Sequence, residues 1–131
     1  MNQDKHLFQF TGAQVSAAAH KRELYHRSRL DYWTAEQESI VAQARGLIST
    51  VKVREQAVTG GKRYEIIADI TGAQDLNWKL QTAGGKIDNH RNLMKEYQLK
   101  SNAYATQSAR VYELDPQDVA YFHLDGRPDE E

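Results

Sequence analysis

A chain of 131 residues without cysteine has room for one ordinary core and excludes disulfides, thiolate catalysis and cysteine-based zinc sites. Its formal net charge of -1 lacks the excess of Lys and Arg expected of a strongly basic nucleic-acid-binding domain, leaving room for a local basic face only. No stretch approaches ~18 consecutive apolar residues, and Met1-Asn2-Gln3-Asp4-Lys5-His6 lacks the apolar run of a secretory signal, so no membrane contact and a cytoplasmic location are expected.

Residues 1–10 read as a short lead-in anchored by Leu7, Phe8 and Phe10. Thr11-Gly12-Ala13-Gln14 then matches a capping box, in which a hydroxyl and a Gln amide satisfy free amides reciprocally. The stripe Ala19, His26, Leu30, Trp33, Ile40, Ala44, Leu47 repeats at three and four residues and carries one long helix to about Arg45, with Gly46 as its stop. A second Thr-x-x-Gln at Thr34–Gln37 leaves a break into two helices as the alternative.

From residue 48 the period changes to two. Val51, Val53, Tyr64, Ile66, Ala68 and Ile70 alternate with charged residues, the pattern of half-buried strands. Thr59-Gly60-Gly61-Lys62 supplies a tight turn, so this region is an antiparallel hairpin. The tetrapeptide Thr71-Gly72-Ala73-Gln74 repeats the earlier cap and opens a helix to about Thr82. Gly84-Gly85 interrupts it, and a further helix runs from Ile87 to about Ala105. The stripe Leu76, Leu80, Ala83, Ile87, His90, Met94, Tyr97, Tyr104 keeps phase across the glycines, so a continuous helix is the alternative. Arg110–Leu114 reads as a short strand. Asp115-Pro116-Gln117-Asp118 starts a terminal helix, because Asp caps and Pro suits the first turn. The expected class is α+β: a long helix, a hairpin, two further helices, a short strand and a C-terminal helix. Residues 1–125 are expected to form a single domain and 126–131 a flexible acidic tail.

Candidate sites are few. His26 and His90 each replace an apolar residue on a helical stripe, so each should face the interior or a cleft. They are the candidates for a metal or acid–base centre. The competing reading is two core-edge histidines hydrogen-bonded to a Tyr, an Asp or backbone. No His-x-x-x-His is present, so no metal site is assigned and no cofactor is expected. The run His20–Arg29 is basic, and Arg22, Tyr25, Arg29 and Tyr32 share one helical face. Cations interleaved with aromatics suit phosphate backbones and stacked bases, or a protein interface; an exposed helix face looks the same. Gly60-Gly61 and Gly84-Gly85 match no phosphate-loop spacing.

The leading expectation is a small binding or assembly protein without catalytic activity, contacting protein or a second copy of itself through helical surfaces. The alternatives are a nucleic-acid-binding accessory factor using the Arg22–Arg29 face and an enzyme built around His26 and His90.

Overall fold

The computed structural model describes residues 7–46, 52–67 and 71–129. In order these form β1 (Phe8–Thr11), α1 (Gly12–Arg45), β2 (Lys52–Val58), β3 (Gly61–Ile67), α2 (Thr71–Ala105), β4 (Val111–Leu114) and α3 (Pro116–Tyr121). The α+β class and the long first helix stand as expected. Among the described residues no helix is long and apolar enough to cross a membrane. The chain divides into two compact units, and both long helices contribute to each.

The first unit contains the described residues through Arg27 and from Asn92 onward. Its α1 start is the capping box: Thr11 N–H donates to Gln14 Oε1 at 2.8 Å and Gln14 N–H to Thr11 Oγ1 at 3.1 Å. The next free amides find the chain after α2: Gly12 N–H donates to the Arg110 carbonyl at 2.8 Å and Ala13 N–H to that of Ser108 at 2.9 Å. β1 pairs antiparallel with β4, Phe8 opposite Leu114 and Thr11 opposite Val111. The lead-in expected over residues 1–10 is therefore partly a strand; its alternation is too short to announce one. Val15, Ala19, Tyr97, Leu114, Val119 and Phe122 form the core. Ser16 and Ser101 tie α1 to α2, each hydroxyl donating to the other's carbonyl, at 2.8 and 3.0 Å. α3 is capped as its sequence demands, with Asp118 N–H donating to Asp115 Oδ1 at 2.8 Å.

The second unit spans Ser28–Arg91. Ile40, Val41 and Ala44 of α1, Ile66 of β3 and Leu80 and Ala83 of α2 make its core, with Trp33, Val53, Tyr64 and Leu76 around them. The hairpin turn is two residues, Thr59-Gly60, with Gly60 alone at positive φ (85°), a conformation that favours glycine. A two-stranded hairpin is marginal alone and exposes unpaired backbone on both edges. Here α1 and α2 cover the outer edge of β3. Ile66 N–H donates to Asn77 Oδ1 at 2.9 Å, the Tyr64 carbonyl accepts from Gln81 at 2.9 Å, and the Lys62 carbonyl accepts from Gln37 at 3.3 Å. Residues 62, 64 and 66 follow period two because alternate backbone groups face away from β2. Arg91 holds the turn, donating to the Thr59 and Gly60 carbonyls at 3.1 and 3.2 Å.

The helices expected over residues 72–82 and 87–105 are one element, the continuous alternative. Two glycines cost a helix about 1 kcal/mol each, but Leu80, Ala83 and Ile87 on either side are buried, and packing of that stripe outweighs propensity. Gly84 also has a task. A Cβ there would lie 2.4 Å from Arg63 Nε, whose guanidinium donates to Asp88 at 2.7 Å. Leu47, Val51, Ala68, Ile70 and the last two residues of the expected tail lie outside the described residues.

Replacing Asn77 with Ala leaves the buried Ile66 amide without its acceptor. The expected cost is about 1–3 kcal/mol in chemical denaturation, with faster hydrogen exchange at Ile66. Unchanged exchange at that amide contradicts the edge-covering role.

Candidate functional site

The first unit buries a cluster of polar side chains on the inner face of α1. Val15, Ala19, Arg22 and His26 follow one another at spacings of four, three and four, so a guanidinium and an imidazole face inward with two apolar residues. Arg22 is 8% exposed and His26 3%. The guanidinium carbon of Arg22 lies 5.2 Å from the Tyr25 ring centre and 5.3 Å from that of Tyr97. One terminal nitrogen donates to Asp129 in a close ion pair, and the other donates to His26 Nε2 at 3.1 Å. Burial works against the Arg22 charge, but the Tyr97 hydroxyl and the Asp129 carboxylate outweigh it and hold the guanidinium protonated.

These contacts settle the chemical state of His26. A guanidinium has no acceptor, so His26 Nε2 offers its lone pair and the ring is neutral with its proton on Nδ1. The ring stacks on Tyr97 at 5.7 Å and 10°, and Tyr25 meets it edge-on at 5.0 Å. A general base needs a lone pair facing its substrate. The Nε2 lone pair of His26 faces Arg22 instead, which makes this ring a structural acceptor. Glu23, 5% exposed, accepts from His20 at 3.2 Å and from Arg27 at 2.9 Å.

The wall opposite α1 comes from α3 and the residues after it. Tyr97 donates its hydroxyl proton to the Tyr121 carbonyl at 2.7 Å, the two rings stack at 4.7 Å, and the Tyr121 hydroxyl donates to Glu96. Burial, then the Glu96 bond, raises the Tyr121 phenol well above its usual range. His123 sits at φ 55°, with its Nδ1 3.6 Å from Asp129. Burial first, and then the Arg22 charge, lower its pKa below the usual imidazole value.

The remaining candidates lie elsewhere. His90 is 2% exposed in the second unit, so the two histidines belong to different units. Arg29 and Tyr32 also belong to the second unit, where the guanidinium covers the ring at 4.4 Å. Of the expected face, Arg22 is withdrawn from the surface while Tyr32 is 47% exposed. Among the described residues no three His, Asp or Glu side chains are grouped to hold a metal. Arg22 was legible as an inward position from its spacing after Val15 and Ala19; its charge argued the other way.

The second unit presents a different feature. A groove of about 250 Å³ is lined by Trp33, Glu36 and Ile40 of α1 and by Trp78 and Lys79 of α2. Trp78 is 69% exposed. No family model, no curated protein and no solved structure matches the chain.

His123 makes the first unit sensitive to acid. A histidine with a lowered folded pKa stays neutral while the unfolded chain takes up a proton. The stability it contributes is present above the unfolded value of 6.5 and is lost as pH falls through the folded pKa. The expected result is a melting temperature that falls between about pH 7 and 5, with part of that slope absent in His123→Asn, because Asn tolerates the same positive φ. Identical slopes in the two proteins contradict the assignment.

Proposed function

We propose that the protein is a non-enzymatic assembly protein that associates with a second copy of itself through the α1–α2 groove of the second unit. The observation that carries this reading is Trp78, a large apolar ring left 69% exposed beside Trp33 and Ile40. Single exposed apolar residues are ordinary, and Leu24, Leu99 and Val111 are of that kind. Two tryptophans lining one groove are not, because Trp is among the residues that most often dominate binding energy when an interface buries it.

The rim of the groove supports a second copy as occupant. A two-fold contact sets each residue against its complement on the other copy, so a self-complementary surface carries both signs of charge. Glu36 of α1 and Lys79 of α2 both line this groove, so a two-fold axis through it would bring each near the other's counterpart. Lys79 is held loosely by Asp75 at 3.4 Å, with both side chains more than half exposed, so it remains available.

Neither alternative gains a specific observation. The nucleic-acid face loses Arg22 to the interior, and the histidine site loses the Nε2 lone pair of His26 to Arg22.

Sedimentation equilibrium over about 1–100 µM tests the proposal. The native protein is expected to dimerise. Trp78→Ala is expected to weaken the dimer by ~30-fold or more, about 2 kcal/mol, without changing the circular dichroism. Glu36→Lys is expected to weaken it too, and adding Lys79→Glu to restore it. A native protein that stays monomeric to 100 µM, or a dimer indifferent to Trp78, overturns it.

A further inference from the structure

We infer that the first unit contains a binding site for a small dicarboxylate, in which Asp129 sits as an internal stand-in for the ligand. The site is a cavity of about 250 Å³ between α1 and the chain after α3, lined by Lys21, Arg22, His123, Arg127 and Asp129 among others. It lies in the unit that does not carry the Trp78 groove, and it does not depend on the self-association reading.

Arg22 is the receptor. It is 8% exposed, fixed between two aromatic rings, and braced by His26 at one terminal nitrogen. Such a guanidinium is pre-organised for a carboxylate, since little rotamer freedom remains to be lost on binding. The group it holds belongs to the C-terminal segment. Residues 125–129 are exposed as a run, and Asp129 reaches back over the cavity to the guanidinium. Arg22 Nε–H is buried and has no acceptor among the described residues, so Asp129 leaves part of the guanidinium fork unused there.

The charges around the cavity indicate a second carboxylate. Arg127 is already committed to Asp125, with contacts of 3.0, 3.0 and 2.6 Å. Asp129 answers Arg22. Lys21 makes no ion pair among the described residues, and it lines the same cavity. A ligand with two carboxylates joined by a short chain meets Arg22 with one and Lys21 with the other. The cavity admits a small molecule and not a folded partner.

Asp129 and the ligand then compete for Arg22. A segment seated about nine-tenths of the time lowers the apparent affinity of the open site about tenfold. The segment therefore sets the threshold concentration at which the ligand is held.

Titration of the 131-residue chain with succinate, followed by calorimetry and by amide chemical shifts, tests the site. Asp129→Ala and the isosteric Asp129→Asn are each expected to bind succinate about tenfold more tightly than the native protein. In the Asp129→Ala background, Lys21→Ala is expected to weaken binding at least fivefold, and Arg22→Lys to abolish it. Acetate is expected to bind at least tenfold more weakly than succinate. Inorganic phosphate binding as tightly as succinate overturns the dicarboxylate assignment. Equal affinity in the native and Asp129 proteins, indifference to Lys21→Ala, or no succinate binding at 20 mM in either folded Asp129 variant overturns the site.

Discussion

A guanidinium cannot be left in an apolar interior without groups to answer its charge and its five N–H donors. The first unit is arranged around that constraint. Arg22 occupies a position on α1 that the helical period turns inward. Tyr25 and Tyr97 supply ring faces, His26 supplies a lone pair and Asp129 supplies the opposing charge. One of these partners is itself held in place. Tyr97 is tied to the backbone of α3 through its hydroxyl, and Tyr121 stacks on it while donating to Glu96. α3 is thus linked to Arg22 through Tyr97, beside the packing of Val119 and Phe122 in the core. The same logic explains the state of His26, whose ring is neutral because its neighbour can only donate.

In the second unit the constraint is the exposed backbone of a two-stranded hairpin. Polar side chains of the helices satisfy it: Gln37, Asn77 and Gln81 reach the edge of β3, and Arg91 reaches the turn. Such residues would count as solvated if only hydropathy were weighed. Covering one edge leaves the hairpin nothing to slip along on that side, which sets its register against the helices. What the unit does not cover is Trp78 and the groove beside it, and the proposed self-association grows from that contrast.

Much of this was legible in the sequence because period and capping are local. The stripe from Leu76 to Tyr104 is buried or half-buried at every position, and the capping signals at Thr11 and at Asp115 act as their residue types require. Two things were not legible, and a third was legible only as an alternative. The continuity of α2 through Gly84-Gly85 depends on packing to either side and on space for Arg63, neither of which propensity encodes. The strand at Phe8–Thr11 acquires its meaning only from a partner about a hundred residues later. The docking of Asp129 on Arg22 joins two residues of ordinary type across the length of the chain, and no spacing announces it. The candidate histidines share this fate: the stripe located each correctly as inward, but a ring's role is decided by what faces its nitrogens.

The claim on which the first unit rests is that Arg22 and Asp129 hold one another. A double-mutant cycle with Arg22→Gln, Asp129→Asn and both together, read by chemical denaturation at neutral pH, isolates that coupling. A buried pair of this kind loses much when one partner is left, but Asp129 is 34% exposed and part of the attraction is screened. The account predicts a coupling of about 1–2 kcal/mol, with Arg22→Gln alone costing more than Asp129→Asn alone because Arg22 also supports Tyr97 and His26. Additive effects, with coupling below about 0.3 kcal/mol, would show that the C-terminal segment does not answer the buried charge and would contradict it.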